Sequence, residues 1–186
     1  MSITRLPAAS RAATPWRNGG GITREIAASP AGASLADFDW RISMAEISAQ
    51  GPFSTFQGID RILTVISGTL TLAIEGQAPV TLSPNTQPFA FPGEAPCVGS
   101  PQNGPAADLN VMLRRERYKA DLRRTASETG QLNTNICVLV ALNESAATVS
   151  ERTFQLNQFD ALLIENHANV AIALQGIGYI VEIKAR

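Results

Sequence analysis

Arg61-Ile62-Leu63-Thr64-Val65-Ile66-Ser67-Gly68-Thr69-Leu70-Thr71-Leu72-Ala73-Ile74-Glu75-Gly76 decides the fold class of this chain. Residues 61–66 and 69–75 are short runs rich in β-branched and aliphatic side chains, and a glycine follows each. Such side chains suit a pleated, half-buried surface, while glycine enters the positive-φ conformations that tight reversals need. Gly68 and Gly76 are therefore expected to punctuate hairpins. The same rhythm runs outward, with strands expected at 23–28, 38–47, 80–82, 87–92 and 108–115, then at 136–142, 153–156, 161–165, 170–174 and 179–184. Residues 118–124 alternate polar and apolar and are read as a strand, with a short helix as the alternative. Residues 93–105, rich in Gly, Pro, Ser and Asn, read as an irregular exposed loop. Helical periodicity is scarce, so the chain is expected to be all-β, a sandwich or barrel.

Composition narrows the function classes. Of 186 residues, 45% are hydrophobic and 17% charged, which is too apolar for disorder and enough for a sizeable core. No uninterrupted apolar run is long enough to span a bilayer, so no membrane partner is expected. Fifteen basic against sixteen acidic residues give a net charge of -1 without a basic block, and no nucleic-acid partner is expected. The densest positive cluster, Arg114-Arg115-Glu116-Arg117 with Arg123-Arg124, is interrupted by acids and reads as solvated or paired. The acid-free first 23 residues carry Arg5, Arg11 and Arg17, but Pro7 and Pro15 break any amphipathic helix of a targeting segment. Cys97 and Cys137 have neither C-x-x-C spacing nor a disulfide framework around them, which favours a cytoplasmic location. His167 is the only histidine, read as a turn or surface residue, so a three-histidine metal centre is impossible within one chain. With no D-x-D-x-D loop and no G-x-S-x-G elbow, no metal, other cofactor or serine triad is expected.

Two segments look like degenerate cupin motifs. Gly58-Ile59-Asp60-Arg61-Ile62-Leu63-Thr64-Val65-Ile66-Ser67-Gly68 resembles the first, and Pro88-Phe89-Ala90-Phe91-Pro92-Gly93-Glu94 the second. Asp60 and Arg61 stand where metal-binding cupins carry their first histidines, and Ala95, Pro96 and Cys97 follow Gly93 where the last would be. Phe38-Asp39-Trp40-Arg41-Ile42-Ser43, Gly51-Pro52-Phe53-Ser54-x-Phe56 and Asp108-Leu109-Asn110-Val111-Met112 together resemble the HutD/Ves family. The resemblance implies a bicupin: two cupin-like jelly-roll barrels in one chain, divided here as 1–115 and a smaller half 116–186 packed with the first as one unit. It also implies a non-catalytic small-molecule-binding protein that modulates histidine utilisation by binding an acidic intermediate, N-formylglutamate or urocanate. The alternatives are a metal-independent cupin enzyme acting on a small carboxylate, and a structural interaction module. A homodimer is possible in each case.

The candidate site follows from strand parity read beside that resemblance. In residues 108–115, Asp108, Asn110, Met112 and Arg114 share one face; in 38–47, Arg41, Ser43 and Ala45 lie opposite Trp40, Ile42 and Met44. On an ordinary half-buried strand such polar groups would meet solvent, whereas a ligand-holding barrel directs them inward. The stretch Trp16-Arg17-Asn18-Gly19-Gly20-Gly21-Ile22-Thr23-Arg24-Glu25-Ile26 adds planar donors and a carboxylate around three glycines. It lacks the Lys-Ser or Lys-Thr of a phosphate loop, and its plainer reading is a surface turn beside an Arg–Glu pair. The expected pocket brings Arg17, Arg24, Arg41 and Arg61 together with Glu25, Asp60 and Asp108. Asn18, Thr23, Ser43 and Asn110 would orient the ligand and Trp16 would stand at the mouth. Four guanidinium groups suit a small acidic metabolite through paired, directional hydrogen bonds. Phe53, Phe56, Phe89 and Phe91 read as core.

Overall fold

A computed structural model describes residues 1–165 and 169–186, so the expectation for His167 lies outside the described residues. The chain forms two compact units, Ala12–Arg117, and Met1–Arg11 with Tyr118–Arg186. Strands dominate both, and among the described residues no helix is long and apolar enough to cross a membrane.

In the Ala12–Arg117 unit, six antiparallel strands lie side by side in the order Ala13–Pro15, Gly21–Ser29, Trp40–Ile47, Ala106–Arg114, Ile59–Ser67 and Phe89–Pro92. A second sheet runs Gly51–Pro52, Cys97–Pro101, Leu70–Ile74 and Val80–Leu82. Ile47, Leu63, Val65 and Phe91 of the first sheet share one core with Leu70, Leu72, Ile74, Leu82 and Cys97 of the second. The unit is therefore two facing sheets, and its ladders do not close into the single barrel that the sequence reading expected.

Gly68 does not close a hairpin, because the strands on either side of it belong to different sheets. It marks the corner where the chain changes sheets, at φ +72°, and a Cβ there would lie 2.5 Å from the Pro105 carbonyl oxygen. Gly76, by contrast, does sit in the connection between the paired strands Leu70–Ile74 and Val80–Leu82. The supposed loop 93–105 contains the strand Cys97–Pro101, paired along its whole length with Leu70–Ile74.

The other unit also has two sheets. One runs Ser2–Leu6, Ala161–Glu165, Ile136–Ala141, Ile177–Ala185 and Tyr118–Ala126; the other runs Thr129–Leu132, Val170–Gln175, Ser145–Val149 and Arg152–Leu156. Tyr118–Ala126 is a strand, as its alternation required. The N-terminal strand pairs with Ala161–Glu165, and Asp160 just before that partner is buried. Its carboxylate accepts hydrogen bonds from Arg5 at 2.9 Å and from the Ala8 backbone at 2.8 Å. The core of this unit is apolar, built on Leu132, Leu139, Val149, Leu162, Ile164, Ile172 and Ile180.

Candidate functional site

Register in the six-stranded sheet places the polar side chains. Residues paired across antiparallel strands point to the same face. One rung reads Ala28, Arg41, Met112, Arg61, Phe91; the next reads Glu25, Ser43, Asn110, Leu63, Phe89; the third reads Thr23, Ala45, Asp108, Val65. A bulge between Glu25 and Ala27 keeps Glu25 in line with Ser43 and Ala28 in line with Arg41. Leu63, Val65 and Phe91 belong to the core shared with the facing sheet, so all three rungs line the inside of the unit. Polar groups there are unusual for a core, and they are deeply buried: Ser43 and Asp108 are 2% exposed, Arg61 5% and Asn110 9%.

Arg61 is the centre of this arrangement. Its guanidinium lies 5.1 Å from the centroid of the Phe53 ring and 5.0 Å from that of Phe91, within cation–π distance of both. The Phe53 ring packs against Gly99, where a Cβ would stand 2.5 Å from its edge, so a side chain at 99 would displace one wall around Arg61. Phe53 meets Trp16 edge to face at 5.6 Å, and Trp16 donates its indole N–H to Thr23 Oγ1 at 2.8 Å. Gly21 leaves room for that indole, whose ring atoms would lie 3.0 Å from an added Cβ. Arg41 donates to Glu25 at 2.8 Å and to Ser43 Oγ at 3.2 Å. The site opens on this side, for the Glu25 side chain is 39% exposed and that of Arg41 13%.

Electrostatics follow from burial. Desolvation pushes the Asp108 carboxyl up to about 7, opposed by the charge of Arg61 and a backbone hydrogen bond from Ala45. Burial lowers Arg61 to about 10, with Asp108 and Cys97 drawing it back up and Arg41 adding to the fall. The guanidinium thus stays cationic at neutral pH. Burial also raises the Cys97 thiol, with Arg61 opposing. Arg61 Nε, Asp108 Oδ1 and Asn110 Oδ1 are buried without a hydrogen-bond partner in the protein. Most buried polar atoms in proteins are paired, and Arg11 Nε and Trp40 Nε1 are also without a partner, but only here do three such atoms fall on adjoining rungs of one inward face, which makes this the candidate site.

The structure brings Trp16, Thr23, Glu25, Arg41, Ser43, Arg61, Asp108 and Asn110 together, and separates four other expected members from them. Arg24 is in register with Met44, on the opposite face, and pairs with Glu46. Asp60 is in register with Leu113, likewise opposite, and Arg115 holds it at 2.6 Å. Arg17 is exposed and has no ion pair among the described residues. Asn18 is also exposed, and its Oδ1 accepts the Gly20 N–H at 3.0 Å, which makes it a turn former. The four-arginine convergence therefore reduces to Arg41 and Arg61. Phe53 and Phe91, read as core, are also the aromatic walls around Arg61; the signal available for Phe91 was its parity with Phe89 on the inward face. Arg115 was read only as part of a solvated or paired cluster. It grips Glu94 through two hydrogen bonds of 2.7 and 2.8 Å, and these hold the Glu94 carboxyl down to about 2. Among the described residues, no group of three or more His, Cys, Asp and Glu side chains is placed to hold a metal ion.

Comparison with known proteins agrees with this architecture. An uncharacterised 21.2 kDa protein in the hutC 3′ region of Pseudomonas putida is 33% identical over 177 residues, covering 92% of each chain. Protein Ves of Citrobacter koseri is 40% identical over 110 residues, 58% of this chain and 56% of its own length. The structure of HutD from Pseudomonas fluorescens SBW25, in a formate condition, superposes over 100% of both chains with a TM-score of 0.87 and 30% identity. A cupin 2 conserved barrel domain protein from Leptotrichia buccalis matches at a TM-score of 0.57 and 12% identity over 89% of each chain, a likeness of fold alone. The chain thus has cupin-like structural neighbours. With its residues 8–181 matching the HutD family pattern and a relative of nearly equal extent at 33% identity, this chain belongs to the HutD family.

Proposed function

We propose that the Ala12–Arg117 unit binds a small carboxylate-bearing metabolite at Arg41 and Arg61 without converting it, and that binding modulates histidine utilisation. The observation carrying this reading is the buried Arg61 guanidinium, set against two aromatic rings with its Nε unpartnered beside a second arginine. A planar cation in a poorly solvated site favours carboxylates, through strong directional hydrogen bonds. The apolar core of the other unit supports placing the ligand in this one. A P. putida relative in the hutC 3′ region and the likeness to a HutD structure support the pathway. N-formylglutamate and urocanate are the candidates. On this reading the two units are the halves of a bicupin, and the free, buried Cys97 and Cys137 suit a cytoplasmic home.

A second reading has one specific observation in its favour. A carboxyl brought to about 7 beside the Arg61 guanidinium is suited to acid–base work, so Asp108 would be the acid or base of a metal-independent enzyme acting on a small carboxylate. Calorimetric titration of formate, N-formylglutamate and urocanate, followed by chromatography of each incubated mixture, tests both readings. Binding that disappears in Arg61→Ala with every compound recovered intact supports the binding protein. Turnover lost in Asp108→Asn supports the enzyme, and no binding by any compound removes both.

A further inference from the structure

We propose that Tyr118–Ala126 is the contact surface for a second copy of this chain, which lays its own Tyr118–Ala126 strand antiparallel to the first and joins the two five-stranded sheets into one. The strand ends its sheet, paired on one side with Ile177–Ala185 and with no strand on the other. Its nine residues keep an unbroken register with that neighbour, so the outer edge offers about 30 Å of unbulged backbone at about 3.3 Å per residue. The other strands that end sheets have five residues or fewer, and three of them carry a proline, Pro15, Pro52 and Pro92. Shortness and proline keep sheet edges from pairing, and Tyr118–Ala126 has neither.

Charges on an edge strand also block pairing, so their pattern decides what this edge accepts. Residues directly opposite in an antiparallel pair share a face, which requires the two-fold axis relating two copies of one strand to pass through a residue. With the axis at Leu122 the whole strand pairs, and Asp121 of each copy stands opposite Arg123 of the other. Lys119 then meets Thr125 and Ala120 meets Arg124, so no like charges are opposed. An axis at Asp121 sets that carboxylate against itself and Lys119 against Arg123, and an axis at Arg123 sets that guanidinium against itself. An axis at Ala120 matches Lys119 with Asp121 but engages residues 118–122 alone. Within one copy, moreover, exposed Asp121 lies directly opposite Glu182, an unfavourable pairing of like charges, and neither has a hydrogen bond or ion pair among the described residues. Arg123 of the second copy brings a cation to that pair. Its guanidinium is already oriented by Glu128, to which Nη1 donates at 2.7 and 2.8 Å, leaving Nη2 to reach across the axis.

The test is a charge exchange followed by sedimentation of the intact chain. At about 50 µM the native chain should sediment with the mass of two copies, the dimer weakening as salt is added. Asp121→Arg puts two cations at each contact and Arg123→Asp puts two anions there, so each variant alone should be folded by circular dichroism and at least tenfold weaker as a dimer. Mixed in equal amounts, the two should dimerise again, because every cation of one copy then meets an anion of the other. A native chain that stays monomeric at that concentration overturns the proposal, and so does a dimer that persists undiminished in Asp121→Arg. Folded variants that remain monomeric on mixing overturn the register centred on Leu122. Asp121→Arg decides the matter even where Arg123→Asp loses its fold with its Glu128 contact, since Asp121 has no such partner to lose and its reversal relieves the opposition to Glu182.

Discussion

Arg61 and Asp108 face the same buried interior from neighbouring strands, two rungs apart, and interact through their charges while Arg61 Nε and Asp108 Oδ1 both remain without a partner among the described residues. Such a pair is less stable than a closed salt bridge. Breaking or forming buried ion pairs changes stability by several kcal/mol in either direction, because desolvation opposes attraction. Here desolvation wins at Asp108, whose carboxyl is carried to about 7.

The first prediction concerns stability against pH. The folded chain holds the Asp108 proton more tightly than the unfolded chain, in which the carboxyl titrates near 3.8. Between these values the native state binds more protons, so the contribution of Asp108 is fully present below about pH 4 and is lost as pH rises through about 7. The loss is roughly 4 kcal/mol at most, from a shift of about three pH units. Glu94, Glu128 and Asp160 act oppositely: their folded values are lowered, so their contribution is lost as pH falls through the acid range. Urea unfolding at about pH 5.5 and about pH 8 should show the native midpoint falling with pH and the Asp108→Asn midpoint nearly level. A native midpoint that rises with pH while that of Asp108→Asn stays level contradicts the assignment.

Affinity for a bare anion should follow the same proton. Arg61 faces Asp108 through the interior, Cys97 and Arg41 act in turn on Arg61, and Glu25 is bound to Arg41 at the open side. Ionised Asp108 repels a carboxylate at Arg61, so formate should bind more weakly as pH rises through about 7. In Asp108→Asn the affinity should be flat across that window. Titrations in buffers of different ionisation enthalpy should also show proton uptake by the native chain on formate binding, which the variant lacks.

Arginine geometry, beyond charge, is the third expectation. Arg41→Lys keeps the cation but loses the fork that spans Glu25 and Ser43, and a carboxylate should bind about tenfold or more weakly, some 1.4 kcal/mol. Because the side chain lies at the open edge, the melting temperature should move by no more than about 2–4 °C. Arg61→Lys should lose more affinity, since a lysine ammonium does not present a flat face to Phe53 and Phe91. Unchanged affinity in both folded variants would place the site elsewhere.

Much of this site was legible because a strand has a period of two. Residues 38–47 and 108–115 were read as strands, and parity alone put Arg41, Ser43, Asp108 and Asn110 on common faces. The same rule forbids Asp60 and Arg61, or Arg24 and Glu25, from sharing a face within one regular strand, so applying it to those pairs would have excluded Asp60 and Arg24. Other features left no local signal. Gly68 looks the same in sequence whether the chain turns back on itself or crosses to the facing sheet, and only pairing distinguishes them. Cys97–Pro101 is hidden by a glycine and a proline, residues depleted in strands, and Ser2–Leu6 is an edge strand only five residues long with little alternation.

The excluded residues supply a control. Asp60→Asn weakens one contact of Arg115 at a position in register with Leu113, on the face opposite to Arg61, so carboxylate affinity should stay within about twofold of the native value. Stability should fall slightly, because the pair is about one-third exposed and such pairs contribute up to about 1 kcal/mol. Loss of affinity without loss of stability would return Asp60 to the site.

The last prediction concerns the N-terminal segment. Ser2–Leu6 covers the edge of the Ala161–Glu165 strand through five paired residues, and Arg5 and Ala8 supply two of the donors to the buried Asp160 carboxylate. The Asn157 backbone N–H, at 3.1 Å, remains when the first eleven residues are removed. Deletion therefore exposes a strand edge and leaves a buried carboxylate short of partners, at a cost of about 1–3 kcal/mol for the carboxylate alone. A fragment of residues 118–186 should accordingly be poorly folded, and supplying residues 1–11 as a peptide or fused through a linker should restore cooperative unfolding followed by circular dichroism. Asp160→Asn in the full chain should destabilise in the same direction without altering carboxylate affinity at Arg61. A 118–186 fragment that unfolds cooperatively and as stably as the whole chain would show that the N-terminal strand is dispensable.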